Sequence, residues 1–117
     1  MNVIYVDDEP IALAKFAALS KQIPDLAGAQ AFSAAADALA WAKEHPVDIA
    51  FLDVEMPGMN GIELATALHQ VRRNARVIFV TAYDHYALEA FQTDAVDYLL
   101  KPYAKSSLER ALEKARL

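Results

Sequence analysis

Five side chains in this 117-residue chain could together handle a metal ion and a phosphoryl group, although they are scattered along the sequence. Asp7 and Asp8 follow the apolar run VIYV, Asp53 follows VDIAFL, Thr81 follows RVIFV and Lys101 follows VDYLL. Carboxylates crowded into one place raise each other's pKa unless cations accompany them. One lysine and one divalent ion would balance the charge of Asp7, Asp8 and Asp53. With oxygen donors only, no cysteine and no suitably placed histidine, such a set selects a hard ion such as Mg²⁺ over zinc. A Mg²⁺ held by two or three protein oxygens keeps open positions that suit a phosphoryl group. Asp53, delivered singly into a loop containing Pro57, Gly58 and Gly61, is the candidate nucleophile, because a carboxylate can attack phosphorus to form an aspartyl phosphate. Lys101, the Thr81 hydroxyl and loop N–H groups would stabilise charge on the transferring oxygens. Asp8 is the more direct candidate metal ligand of the acidic pair, and Asp7 one acting through water.

This chemistry requires the five positions to meet, and the pattern of elements says how. The apolar runs at 3–6, 47–52, 76–80 and 96–100 are strand-length and nearly continuous, as parallel strands covered on both faces are, and AQAFS at 29–33 reads as a fifth, edge strand. Between them lie helical patterns. Pro10 suits a first helical turn, with Ile11, Ala14 and Ala18 on one face. A second helix runs over about 35–45 and stops at His45-Pro46. Asn60 and Glu63 form a capping box for a third, carrying Leu64, Leu68 and Val71. Asp84 is a candidate cap for a fourth. Ser106 and Glu109 form a capping box for a fifth, on which Leu108, Ala111, Leu112 and Ala115 make one apolar stripe. Alternating strands and helices with right-handed crossovers predict a doubly wound α/β domain of five parallel strands and five helices over residues 1–117. In such a fold the residues that follow the strands meet at one sheet edge, where ligand crevices form.

Composition narrows the function classes. The formal net charge of −5 and the absence of a basic run oppose direct nucleic-acid binding. No apolar stretch approaches membrane-spanning length, and the N-terminus lacks a basic, signal-like region. The absence of cysteine fits a reducing compartment, so a cytoplasmic location is expected. His45, His69 and His85 share no metal-ligand spacing and are expected at the surface, while Phe16, Phe32 and Trp41 are expected to pack.

VDDE, FLDVEMPGMNG, VTA and YLLKPY, in that order across the whole chain, resemble the receiver domain of two-component response regulators. The resemblance implies a flavodoxin-like sheet of order 2-1-3-4-5, Asp53 as phosphoacceptor for a sensor histidine kinase, and Asp7 and Asp8 as the acidic pair. It also implies that the Glu55 carbonyl is a further Mg²⁺ ligand, Thr81 and Tyr98 are switch residues, and Lys101 precedes a cis-proline, Pro102. Glu55 and Tyr83 occupy positions that such domains use to tune hydrolysis. The stretch FVTAYDHYALEAFQTDAVDYLLKPY is similar to receivers that precede LytTR-type DNA-binding domains, which would place a transcriptional effector outside this chain. The implied output surface is the face of helix 4, strand 5 and helix 5, with His85, Tyr86, Glu89, Gln92 and Tyr103, and it is a candidate homodimer interface. The expected activity is a self-modifying signalling switch rather than turnover of an external substrate.

Other functions are weighed against this one. A phosphorylation-independent interaction module would use the same fold without the chemistry. An aspartyl-phosphate phosphatase would want a second aspartate two residues after the nucleophile, where Glu55 stands. A flavin-binding module would want a Ser/Thr/Gly loop after the first strand, and two carboxylates stand there instead.

Overall fold

Near-continuous apolar strands need cover on both faces, and the chain supplies it. The computed structural model describes residues 1–83 and 95–116. Strands β1 (Val3–Val6), β2 (Gln30–Phe32), β3 (Ile49–Asp53), β4 (Arg76–Thr81) and β5 (Asp97–Leu100) form one parallel sheet in the order β2-β1-β3-β4-β5. Helices α1 (Pro10–Ser20), α2 (Ala35–Glu44) and α3 (Gly61–Val71) follow the first three strands, and a C-terminal helix (Lys105–Arg116) follows β5. The fourth helix expected near Asp84 lies outside the described residues, as do His85, Tyr86, Glu89 and Gln92. Among the described residues no helix is long and apolar enough to cross a membrane.

Alternation along the strands divides the core in two. Ile4, Val6, Ala50, Leu52, Val77 and Phe79 point to the side covered by α2 and α3. Val3, Tyr5, Ile49, Phe51, Ile78 and Val80 point to the side covered by α1 and the C-terminal helix. β1 and β3 are buried along their full length, so both can end in a polar residue only where the sheet runs out. At the other end of β3, the Asn2 main-chain N–H donates to the Asp48 carboxylate at 2.6 Å, and strand pairing begins at Ile49 rather than Val47.

Two helix details differ from the sequence-based expectation. Ile11, Ala14 and Ala18 do share a face of α1, but it is the outer one: Ile11 is 86% exposed. Phe16 is the buried residue, stacked on Tyr5 at 4.3 Å between ring centres and tilted against Phe51 at 5.7 Å. α1 is apolar on nearly every side, so periodicity alone does not select its inner face, and the aromatic partners in β1 and β3 do. The C-terminal helix begins at Lys105, with the Leu108 N–H donating to the Ala104 carbonyl, so Ser106 sits inside the first turn rather than ahead of it. Its stripe of Leu108, Ala111, Leu112 and Ala115 is buried as expected.

The connection from β3 to α3 is the most tightly constrained loop around the sheet edge. Asn60 Oδ1 accepts the Glu63 N–H at 2.9 Å and Glu63 Oε1 accepts the Asn60 N–H at 3.0 Å, which completes the expected capping box. Gly58 adopts a positive φ of 77°, where a side chain is strained. Gly61 is needed for a different reason: a Cβ there would lie 2.2 Å from the Asp53 carbonyl oxygen. Helix α3 can therefore start directly against the backbone that presents Asp53. Gly61→Ala is expected to displace that backbone and to cost about 1–3 kcal/mol, as overpacking does. Urea unfolding would read this as a lower midpoint at unchanged slope.

Candidate functional site

The sheet edge collects the expected residues because each occupies the end of a strand or the position after it. Asp7 follows β1, Asp53 ends β3, Thr81 ends β4 and Lys101 follows β5. In the register, Asp53 lies beside Val80 and Thr81 beside Leu100, so β3, β4 and β5 finish nearly level. One carboxylate oxygen from each of Asp7, Asp8 and Asp53 lies within 4.8 Å of the other two, close enough to share one cation. Asp7, Asp53 and Thr81 are buried, at 0%, 3% and 0% exposure, whereas Asp8 is exposed. A depression of about 450 Å³ beside the cluster is lined by Asp8, Glu55 and Asn60 among others, which puts Glu55 on the rim that Asp8 faces.

Lys101 supplies the positive charge. Its Nζ donates to Asp7 Oδ2 at 2.6 Å and to Glu9 Oε1 at 3.0 Å, and lies 3.6 Å from Asp53 Oδ1. Desolvation alone would lower its pKa, but its contacts with Asp7, Glu9 and Asp53 outweigh that and raise it. The Lys101–Pro102 peptide is cis, as expected. The Lys101 N–H donates to the Thr81 carbonyl at 2.7 Å, which fixes the start of the loop to β4. Asp7 is held on both oxygens: Oδ1 accepts the Glu9 N–H at 3.0 Å, and Oδ2 accepts Lys101 and, at 3.3 Å, the Tyr5 hydroxyl. Such a carboxylate is better suited to meet a cation through water than directly.

Asp53 is the buried acid with the weaker contact to Lys101. Burial raises its pKa to about 7, Asp7 and Asp8 push in the same direction, and Lys101 opposes them only in part. All three aspartates offer hard oxygen donors, and among the described residues no nitrogen or sulfur ligand belongs to the cluster, so the donor set fits Mg²⁺. His45 stacks on Trp41 and half-buried His69 bonds the Ala75 carbonyl through Nε2, so each is accounted for locally; His85 is outside the described residues.

Three further residues complete the surroundings. The Tyr83 N–H donates to Thr81 Oγ1 at 3.2 Å, and the Tyr98 hydroxyl donates to the Tyr83 carbonyl. Thr81 and Tyr98, the two expected switch residues, are thus joined through Tyr83. Tyr103, expected on the output surface, is instead buried at 7% exposure, with Lys15 Nζ 4.4 Å from its ring centre and 2.8 Å from its carbonyl oxygen. Two participants were not singled out from sequence. Glu9 has a visible signal, since it extends the DDE run, but its contact with a lysine 92 positions away does not show in one dimension. Tyr5 reads as an ordinary strand aromatic.

The raised Asp53 pKa has a consequence for stability. Between its ordinary value of 3.8 and about 7, the folded state holds a proton that the unfolded state has lost, so stability falls as pH rises through that window. In metal-free solution, Asp53→Asn should therefore raise the unfolding midpoint more at pH 8 than at pH 5. Thermal melts of both proteins at the two pH values would show it, and an equal change at both would contradict the assignment.

Comparison with known proteins agrees with the geometry. Residues 3–113 match the model of the response regulator receiver domain. The chain is 36% identical over 115 residues to the sensory transduction protein LytT of Enterococcus faecalis, covering 98% of this chain and 48% of that protein. It therefore spans about half the length of this curated relative. Among solved structures, the response regulatory domain of mrkE from Klebsiella pneumoniae superposes with a TM-score of 0.83 at 33% identity, covering 99% of this chain and 95% of that one. The response regulator TrrA from Thermotoga maritima, in complex with Mg²⁺ and BeF, superposes with a TM-score of 0.80 at 27% identity, covering 97% of each chain. Family match, sheet order and acidic corner agree: this chain belongs to the response regulator receiver domain family.

Proposed function

We propose that this domain is a phosphoacceptor switch in which Asp53 takes a phosphoryl group from the phosphohistidine of a sensor histidine kinase. The observation that carries this reading is the clustering of the Asp7, Asp8 and Asp53 oxygens beside the Lys101 ammonium at the ends of parallel strands. Asp8, Asp53 and the Glu55 carbonyl would hold Mg²⁺ directly, and Asp7 would do so through water. When bound, the ion supplies charge that returns Asp53 to its ionised, nucleophilic form and neutralises phosphoryl oxygens. An Asp53 oxygen then forms a bond to phosphorus while the donor's P–N bond breaks, its electron pair leaving with the imidazole. Lys101 and the Thr81 hydroxyl stabilise the oxygens of the transferred group. Crystallisation of TrrA with Mg²⁺ and BeF supports extending the same ligand chemistry to this chain.

The output follows from the links on the far side of Asp53. Thr81 reaches Tyr98 through Tyr83, so a pull on the Thr81 hydroxyl is felt at β5. Phosphorylation would shift the balance between two conformations by the difference in their interaction energies. The readout surface would be the face formed by helix 4, β5 and the C-terminal helix, and a homodimer through it is part of this reading; Leu100 on β5 is 47% exposed. The greater length of LytT supports a second half controlled by this one, which in this reading is a DNA-binding effector acting in the cytoplasm. The cycle of phosphorylation and hydrolysis is self-modification, not turnover of an external substrate.

Acetyl phosphate or a cognate kinase with Mg²⁺ is expected to label the wild type and to leave Asp53→Asn unlabelled. Labelling of that variant would exclude Asp53 as the acceptor, and no labelling of the wild type would favour a phosphorylation-independent module. Tyr83, whose side chain is half-exposed beside Thr81, is expected to slow attack by water. Phosphoryl decay in Tyr83→Ala should be faster than in the wild type, and an unchanged half-life would remove that role.

A further inference from the structure

Beneath the acidic corner lies Tyr5, a wholly buried residue in the middle of β1. Its ring packs between Phe16 and Phe51, at 4.3 and 6.3 Å between centres, and a phenylalanine would fill that space equally well. The hydroxyl is what needs an account, because burying an O–H costs free energy that a partner must offset. It donates to Asp7 Oδ2 across 3.3 Å, the same oxygen that takes Lys101 Nζ at 2.6 Å. The Tyr103 hydroxyl is enclosed beside that of Tyr5 and, among the described residues, makes no hydrogen bond to Asp7, so the Asp7 contact belongs to Tyr5.

The two donors to Oδ2 are unequal. The ammonium is at charge-assisted contact distance, whereas the phenol lies beyond the usual O–H···O range. Lys101 is also divided among Glu9 at 3.0 Å and Asp53 at 3.6 Å, and in the reading above it must serve the phosphoryl oxygens as well. As it turns toward them, Asp7 loses its shortest donor while remaining fully enclosed, a costly state for a carboxylate. We infer that Tyr5 is a positioning residue, a reserve donor that holds Asp7 in place when Lys101 turns from it to the phosphoryl group. The inference rests on the phosphoacceptor reading of Asp53. Tyr5 touches neither the ion nor phosphorus and acts through Asp7. Its 3.3 Å contact has room to shorten as the ammonium withdraws.

Tyr5→Phe removes one oxygen and keeps the ring. Amide shifts of the ¹⁵N-labelled chain, titrated with Mg²⁺ and then with beryllofluoride in saturating Mg²⁺, separate the resting from the phosphoryl-like state. Mg²⁺ affinity is expected to change less than about 3-fold, because Lys101 still holds Asp7. Beryllofluoride affinity is expected to fall about 10-fold, the size of a hydrogen bond to a charged group. Equal shifts in both titrations, or none in the second, would overturn the inference. A second measurement does not depend on phosphoryl binding. In Lys101→Ala the phenol is the remaining side-chain donor to Oδ2, so adding Tyr5→Phe should lower Mg²⁺ affinity about 10-fold in that background and little in the wild type. Additive effects would overturn the inference. Wild-type protein that takes up no beryllofluoride would refute the phosphoacceptor reading instead, and the Lys101→Ala pair would then decide the role of Tyr5. Unfolding midpoints check that every variant is folded.

Discussion

Like charges confined at one edge of a sheet are the constraint on which this molecule turns. Asp7 and Asp53 are almost entirely enclosed, Asp8 and Glu9 stand beside them, and Lys101 is the cation that contacts the group. The arrangement is unfavourable as it stands: burial raises the Asp53 pKa to about 7, and Asp7 and Asp8 push the same way. In the proposed reading, stability has been given up locally for a place where a divalent ion and a phosphoryl group are both welcome. The surrounding sheet tolerates the strain because β3 and β4 are packed on both faces and cannot yield. A softer scaffold would relax the carboxylates apart.

Rigidity and responsiveness are assigned to different sides of Asp53. On the α3 side, the reciprocal Asn60–Glu63 cap and the close approach of Gly61 to the Asp53 carbonyl hold the loop fast. On the β4 side, Thr81 meets Tyr83 through a hydroxyl, and Tyr83 meets Tyr98 through a carbonyl. Contacts of that kind can be exchanged at small cost, since each net hydrogen bond is worth only about 1 kcal/mol. In the proposed reading, a signal entering at Asp53 has one stiff boundary to push against and one that can move.

Much of this was legible along the chain because parallel sheets convert sequence position into spatial position: whatever follows a buried strand arrives at the same edge. Asp7, Asp8, Asp53, Thr81 and Lys101 were all readable by that rule. So were the five strands and the Asn60 cap, because apolar runs and capping residues are local signals. What escaped was decided by tertiary partners. The inner face of α1 depends on Phe16 finding Tyr5 and Phe51, not on periodicity, in a helix that is apolar nearly all round. Tyr103 looked like a surface aromatic until Lys15, 88 positions away, was found against its ring and carbonyl. Glu9 and Tyr5 were overlooked because their roles are defined by the lysine and the aspartate they touch. The C-terminal helix starts earlier than the Ser106 cap implies, at Lys105, because Ala104 supplies the first carbonyl and Ser106 does not.

The order β2-β1-β3-β4-β5 also governs how the chain can assemble during synthesis. β1 is made first, yet Val3 has its neighbour in Ile49, so the opening strand waits for nearly half the domain before both its edges are paired. The acidic residues emerge well before Lys101, which follows the last strand to be added. Until that strand docks, the Lys101 ammonium that contacts Asp7, Glu9 and Asp53 in the folded domain is not in place, and water must solvate them. Closing the sheet with β5 is thus the event that makes the corner electrically tenable, and a ribosome-bound fragment ending short of it would carry the carboxylates without their counterweight.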